Sequence, residues 1–218
     1  MKNNFKYILP LALVIALLSA YFFKSSNKKP ITFLPIYGPK NTTKSDTDYH
    51  TIKQFNFINQ YGNNITLESI KNKIVVCDYF FTTCKSICPI MSNQMERVQN
   101  HFATNNDIIL LSHTVDPEED SVSVLFEYAK RHHAVKGKWH FLTGDKKSLY
   151  NQARESYLLD NEAGNGDEHD FIHTDKFALI DWKGRIRGYY IGTDSVEVSK
   201  LITDISTLLD EKEWEANN

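Results

Sequence analysis

The sequence predicts an α/β fold in which a central mixed β-sheet is flanked by helices. A dense apolar run at residues 74–81, interrupted only by Asp78, is typical of a central strand that is covered on both faces. Apolar residues at helical spacing follow this run and the next one, so helical crossovers are expected between these strands. Near the C-terminus, apolar runs on either side of Lys183 and Gly184 predict a hairpin.

The remaining strands are predicted from short apolar runs. An N-terminal β-hairpin is expected where Phe55 and Phe57 alternate with polar residues, because residues 61–64 then supply turn chemistry before Ile65 and Leu67. The other predicted strands are residues 108–112, 139–142, 176–182 and 185–191.

The helices are predicted from apolar residues three or four positions apart. The first should begin near Pro89, the third should be capped by Asp145 and run to about residue 154, and Asp194 with Glu197 forms a capping-box pair before the last. The apolar positions are Met91, Met95, Val98 and Phe102 in the first helix, Val122, Leu125, Tyr128 and Ala129 in the second, and Val198, Leu201, Ile202, Ile205 and Leu209 in the last. This order of strands and helices is thioredoxin-like.

Length and charge restrict the function. The chain has 218 residues, of which 41% are hydrophobic, and a net charge of −2. One domain with an appendage is expected at this length. Nucleic-acid binding is disfavoured because there is no excess of basic residues to neutralise phosphates.

Residues 1–23 are expected to be a transmembrane anchor. Residues 7–23 carry no charge and follow Lys2 and Lys6, and as a helix they would span roughly 25 Å of a hydrocarbon layer about 30 Å thick. A cleaved signal peptide is the alternative. The anchor is favoured because no small-x-small cleavage site precedes Lys24 and no lipobox cysteine is present.

A flexible tether is expected at residues 24–50, since this polar stretch contains Pro30, Pro35 and Pro39. The folded thioredoxin-like domain is then expected at residues 51–212.

Cys84 and Cys88 carry the strongest functional signal. They lie one helical turn apart, where the central strand leads into a helix, and a helix N-terminus stabilises the thiolate form that attacks electrophiles and binds metals. A local disulfide or two unrelated core thiols are the alternatives. Cys77, inside the apolar strand, is expected to be a core residue.

Several motifs occur together with this pair. Residues 82–89 read T-x-C-x-x-x-C-P after an aromatic-rich strand, residues 115–117 are Val-Asp-Pro, and residues 142–144 are Leu-Thr-Gly. His173 then precedes the Phe-Ala-Leu-Ile-Asp of residues 177–181. In these motifs and their order, the sequence resembles the Sco/SenC family of cytochrome oxidase assembly proteins.

The resemblance, over about residues 50–210, implies a domain that binds one copper ion through Cys84, Cys88 and His173. It also implies that cytochrome c oxidase subunit two, whose copper centre is matured, and a copper donor protein are partners. Two thiolates and an imidazole suit Cu(I), with Cu(II) as the alternative oxidation state, whereas zinc sites usually hold four ligands. The two cysteines could also cycle through a redox-active disulfide.

Other polar residues near the motifs have two interpretations. His169, in an acidic stretch, is the alternative ligand to His173. Asp116 either orients a ligand or forms an Asp-Pro turn. His113, together with the pair at positions 132 and 133, is interpreted as a polar surface or strand-end group. The acidic residues 160–170 form either a solvated loop or a docking surface for a basic partner.

A thiol-disulfide oxidoreductase is the main rival function, either in general or as a reductase of the oxidase subunit's cysteines. Such enzymes usually carry C-x-x-C and a cis-proline, but no proline follows Pro117. Peroxidase activity is disfavoured because no arginine precedes Arg97. A redox or copper sensor would use the same residues.

Thiols that meet copper belong on an exported surface, so the domain is expected on the periplasmic side of a bacterial inner membrane, attached by a single span. The mitochondrial intermembrane space is the eukaryotic equivalent, but the N-terminus lacks the Arg-rich character of a transit peptide.

Overall fold

A computed structural model describes residues 19, 31–43, 47–160, 172 and 174–218. The chain divides into two compact units, Met1–Thr32 and Phe33–Asn218, and the fold is that of the second unit. Across the described residues, no helix combines the length and the apolar character that crossing a membrane requires. The predicted anchor at residues 1–23 lies outside the described residues, apart from Ser19.

A mixed seven-stranded sheet forms the centre of this unit in its described part. Its strands are β3 (Asn56–Asn59), β4 (Asn64–Thr66), β5 (Ile74–Phe80), β6 (Ile108–Thr114), β7 (Trp139–Thr143), β8 (Lys176–Ile180) and β9 (Ile186–Ile191), and a separate hairpin contains β1 (Lys40–Thr42) and β2 (Thr47–Tyr49). The order across the sheet is β4-β3-β7-β6-β5-β8-β9. The three central strands β7, β6 and β5 are parallel, and the outer neighbours pair antiparallel. The predicted mixed sheet and both predicted hairpins are therefore confirmed.

The helices begin close to the predicted positions. They are α1 (Ile87–His101), α2 (Val122–Arg131), α3 (Lys146–Asn151) and α4 (Ser195–Ala216). Asp145 caps α3 by accepting a hydrogen bond from the Ser148 amide at 2.8 Å, and Asp194 caps α4 through the Val196 amide at 2.7 Å. The predicted third helix continues as a π-helical turn at Gln152–Ser156.

The two faces of β5 face two separate cores, because successive strand residues point to opposite sides. Ile74, Val76 and Phe80 pack with the α1 residues, including Cys88, on one face. Val75, Cys77 and Tyr79 pack on the other face. Cys77 is fully buried, as expected of a core residue, and it lies on the opposite face of the sheet from Cys88.

Residues 34–37 pack against the domain, where the sequence predicts a free tether. The guanidinium of Arg187 donates hydrogen bonds to the carbonyl oxygens of Leu34 at 2.5 Å and Pro35 at 3.0 Å. The Leu34 amide donates to Glu211 at 2.6 Å, and the Tyr37 amide donates to the Ile186 carbonyl at 2.8 Å. The composition of the segment does not reveal this, because the hydrogen bonds use its backbone, which every sequence shares. The side-chain contacts, of Leu34 with the core and of Tyr37 with Tyr189, have partners that are distant in sequence.

The register of the parallel strands positions the candidate site. β5 and β6 pair from Ile74 with Ile108 through to Phe80 with Thr114, so both strands end at the same edge of the sheet. The loop that carries the cysteines leaves β5 at this edge, and the loop that leads to α2 leaves β6 beside it. Side chains from the two loops can therefore meet, as is usual at the carboxyl edge of parallel strands.

Candidate metal centre

The two cysteines lie on either side of the start of α1. Cys84 is in the loop before the helix and is partly exposed, whereas Cys88 is in the first turn and is 3% exposed. All three cysteines of the chain are free thiols. The Cys84 and Cys88 side chains interact with each other, and the Ser86 hydroxyl oxygen lies 3.6 Å from the Cys84 sulfur. The structure thus brings the predicted thiol pair together.

The two thiols have different pKa values because their surroundings differ. Burial raises the pKa of Cys84, but hydrogen bonds from Cys88 and Ser86 outweigh it and lower the pKa to about 7. Burial raises the pKa of Cys88 to about 12, and its role as hydrogen-bond donor to Cys84 adds to this. At neutral pH, Cys84 is therefore about half thiolate, and Cys88 is the neutral thiol that donates to it. A soft cation that binds both sulfurs must displace the proton between them.

A cavity of about 290 Å³ opens beside Cys88. Apolar side chains dominate its wall, and Asp175 is the charged residue among the lining residues described. The lining residues are Tyr79, Phe80, Phe81, Ile87, Cys88, Val115, Ile172, Thr174 and Asp175. Ile172 and Thr174 are the two chain neighbours of position 173, so the described residues flanking His173 line the same cavity as Cys88.

The predicted histidine ligands are outside the described part of the chain. This applies to His173, to the alternative His169 and to most of the predicted acidic loop, at residues 161–171. Where side chains are described, no three or more His, Cys, Asp or Glu residues form a group that could hold a metal ion.

Asp116 takes part in this region through its backbone. Its amide donates to the Thr114 hydroxyl at 2.9 Å, and its carbonyl oxygen accepts from the Asp120 amide at 2.8 Å. These contacts close a turn after β6, which fits the turn-forming interpretation of the Asp-Pro pair.

Asp120, which the sequence does not single out, is the buried acid of this region. It is 0% exposed, and its carboxylate accepts hydrogen bonds from the Thr82 amide at 3.2 Å and from the hydroxyls of Thr82 and Thr114. Burial raises its pKa, and the threonine donors oppose that rise. In the sequence, Asp120 is the third of three consecutive acids that follow Asp116 and Pro117. It does not stand out there, because a run of acids before a helix is usually solvated.

His113 was interpreted as a surface or strand-end group, and the surface interpretation is wrong. Its ring is 0% exposed, stacks on Tyr79 at a centroid distance of 5.0 Å, and lies 3.4 Å from the Tyr157 hydroxyl. Burial lowers its pKa to about 3, so the ring is neutral at physiological pH. The interpretation differs from the structure because β6 ends inside the core. The residues that cover the His113 ring there, such as Tyr157, come from distant parts of the chain.

Comparison with known proteins identifies the family. The SCO1/SenC family model matches residues 43–210, which is most of the chain. The chain belongs to the SCO1/SenC family. The SCO1 protein homolog of Bacillus subtilis is 31% identical over 160 residues, covering 72% of this chain and 82% of that protein.

Solved structures of the family share the fold. BsSco, a member of the Sco family of cytochrome c oxidase assembly proteins in which a disulfide switch has been identified, superposes with a TM-score of 0.64 at 26% identity. That match covers 83% of this chain and 98% of BsSco. Bradyrhizobium japonicum ScoI with copper bound is 19% identical with a TM-score of 0.58, covering 72% of this chain and 99% of that one. The thioredoxin-like Sco fold expected from the sequence is confirmed.

Proposed function

We propose that this chain is a copper(I) metallochaperone that assists maturation of the copper centre of cytochrome c oxidase subunit two. The observation that carries the proposal is the pairing of Cys84 and Cys88 beside a cavity lined by the chain neighbours of His173. Cu(I) is the cargo, and the two sulfurs with the imidazole of His173 are its ligands. Copper bound to a Sco protein of the same fold supports this assignment.

The environments of the two sulfurs suit a cargo that must be both held and released. Cys88 is buried, so its bond to copper is shielded from water and from competing thiols. Cys84 is partly exposed and is already half ionised near pH 7, so it offers the entry point for an incoming ion and the first bond to exchange with a recipient. Two thiolates and one imidazole leave Cu(I) with a low coordination number, which permits ligand exchange.

A Cu(I) titration under anaerobic, reducing conditions, with a competing chromogenic chelator, tests the proposal. We expect about one Cu(I) per chain, and we expect Cys84→Ser, Cys88→Ser and His173→Ala each to lower the affinity sharply. His169→Ala is the matched control, because it removes a nearby imidazole and should leave the affinity unchanged. A stoichiometry near zero for the wild type would remove the proposal, and an effect of His169→Ala alone would move the ligand role to that residue.

The second candidate is a thiol-disulfide reductase that acts on the cysteines of the oxidase subunit, or a redox sensor built on the same pair. The lowered pKa of Cys84 favours it, because a thiolate at neutral pH is the attacking species in disulfide exchange. The disulfide switch of BsSco is consistent with such chemistry. Rapid reduction of insulin by the copper-free chain would favour the reductase over the chaperone.

We also propose that residues 1–23 anchor the protein in a bacterial inner membrane with the domain in the periplasm, where it meets a copper donor protein and the oxidase. The charge-free run at residues 7–23 supports the anchor. Intact-mass measurement of the protein from membranes tests this, since loss of about the first 23 residues would indicate the cleaved signal peptide instead.

A further inference from the structure

The cysteine loop, defined as residues 81–86, is tied to the neighbouring loop by one carboxylate. Asp120 lies six residues after Thr114, the last residue of β6, and its side chain reaches back to both Thr114 and Thr82. Its own position is fixed by its amide, which donates to the Asp116 carbonyl at 2.8 Å. Asp120 therefore connects the end of β6 to the start of the cysteine loop.

An ionised carboxylate is suited to this arrangement. It accepts hydrogen bonds and donates none, and its two oxygens can take about four donors. Three neutral donors converge on Asp120, namely the amide of Thr82 and the hydroxyls of Thr82 and Thr114. Both hydroxyl protons must point at the carboxylate, so the side chain of Thr82 is fixed together with its backbone. An asparagine would keep the shape but would place two donors among the three already present.

The contact between Asp120 and Thr82 lies close in sequence to Cys84. Thr82 is two residues before Cys84, and within the loop the Cys84 amide donates to the Phe81 carbonyl at 3.3 Å, which is long for such a bond. The Thr82 amide lies at a similar distance from Asp120, 3.2 Å, so the stronger restraint on the first half of the loop is the short bond from the Thr82 hydroxyl to this carboxylate. Hydrogen bonds to a charged acceptor exceed those between neutral groups.

We propose that Asp120 is the positioning residue of the cysteine loop: by holding Thr82 it sets where the Cys84 sulfur lies relative to Cys88. The consequence for Cu(I) rests on the proposed chaperone function, whereas the position of the loop does not. Groups that orient metal ligands without touching the metal typically change metal affinity by about 10- to 100-fold when removed. Asp120→Ala should therefore weaken Cu(I) binding by about that factor and leave the stoichiometry unchanged.

The test uses the full chain and two measurements, amide hydrogen exchange of residues 81–88 without copper and competitive Cu(I) titration. Asp120→Ala should speed exchange in the loop by about 10-fold or more, since each lost bond lowers the cost of local opening. Thr82→Val, which removes one hydroxyl, should change both measurements in the same direction by less, and Thr82→Ser should restore them. Gln99→Ala is the matched control, because Gln99 is 1% exposed and bonds the His133 carbonyl and the Val135 amide near the far end of α1.

Loss of the buried Gln99 contacts should lower overall stability without changing the loop exchange or the copper affinity. The proposal is overturned if folded Asp120→Ala exchanges like the wild type at residues 81–88, or if Gln99→Ala weakens copper binding as much as Asp120→Ala. If Asp120→Ala does not fold, the comparison of Thr82→Val with Thr82→Ser tests the proposal instead, with the same two measurements and the same control. If the wild-type chain takes up no Cu(I), the chaperone proposal fails and the positioning role of Asp120 is judged by hydrogen exchange alone. Exchange rates at residues 81–88 that are the same in the variants as in the wild type would then overturn the positioning role.

Discussion

Replacing Asp78 with asparagine should change how the stability of the fold depends on pH. Asp78 is 1% exposed in the middle of β5, and its Oδ1 atom has no hydrogen-bond partner among the described residues. Burial raises its pKa from 3.8 to about 7, although the Ser112 side chain donates to it and opposes the rise. The carboxylate is therefore a cost to the folded state whenever it is ionised.

The size of this cost follows from the pKa difference. A shift from 3.8 to about 7 corresponds to roughly 4 kcal/mol at about 1.4 kcal/mol per unit. The folded state binds more protons than the unfolded state between these two values, so this contribution to stability is lost as pH rises from about 4 to 7 and is constant above that. Between pH 5 and pH 8 the wild type should lose roughly 2.5 kcal/mol through Asp78 alone.

This loss can be measured by urea unfolding at several pH values. The two proteins compared are the wild type and Asp78→Asn, both reduced and free of copper. The amide adds a constant offset for its own burial, so the informative quantity is the difference in unfolding free energy between the two proteins. That difference should shift in favour of the variant by roughly 2.5 kcal/mol from pH 5 to pH 8, because every other titrating group is common to both proteins. A difference that stays constant within about 0.5 kcal/mol over this range would refute the reasoning.

Two further predictions concern the thiols and the buried ion pairs. Iodoacetamide should label Cys84 before Cys88, and the Cys84 labelling rate should rise through pH 7 and level off above about pH 8. In Cys88→Ala, the rise of the Cys84 labelling rate should move to higher pH, because the substitution removes a donor to the Cys84 sulfur. Peptide mass spectrometry measures both rates, and first labelling at Cys88 would contradict the assignment. Arg187→Met should destabilise the fold by about 3–5 kcal/mol in urea unfolding, because it removes the cationic partner of the buried Glu211 carboxylate. Lys53→Met, which removes an exposed ion pair, is the control and should cost far less, because solvent screens that pair. Equal losses in the two variants would show that burial is not the cause.

The sequence allowed the local elements to be predicted because local periodicity reports which side of an element is apolar. The dense apolar run of β5 predicts a strand buried on both faces, and all seven of its residues are buried. The spacing of Cys84 and Cys88 predicts that the sulfurs face the same side of a helical turn. The two thiols do come together, but Cys84 lies in the loop before α1, so the shape of that loop brings them together and not a helical turn. The burial of Cys77 followed from the same run.

Other features could be decided only by the tertiary structure. The order of strands across the sheet depends on pairings between distant segments, such as β3 with β7, which leave no local pattern. The burial of His113 and the hydrogen bonds from Arg187 to the Leu34 and Pro35 carbonyls are not predicted, because the partners come from parts of the chain far away in sequence.

The candidate site shows the same division. The sequence by itself indicated which side chains are candidates for the chemistry, because a thiol has its metal affinity and nucleophilicity wherever it lies. Only the tertiary structure decided that Asp120 rather than Asp116 has the buried carboxylate that meets Thr82, and that the two thiols differ in acidity. The physical reason is that hydrogen bonds and burial depend on which distant groups come within about 3 Å of each other, and that distance is set by the packing of the sheet and helices.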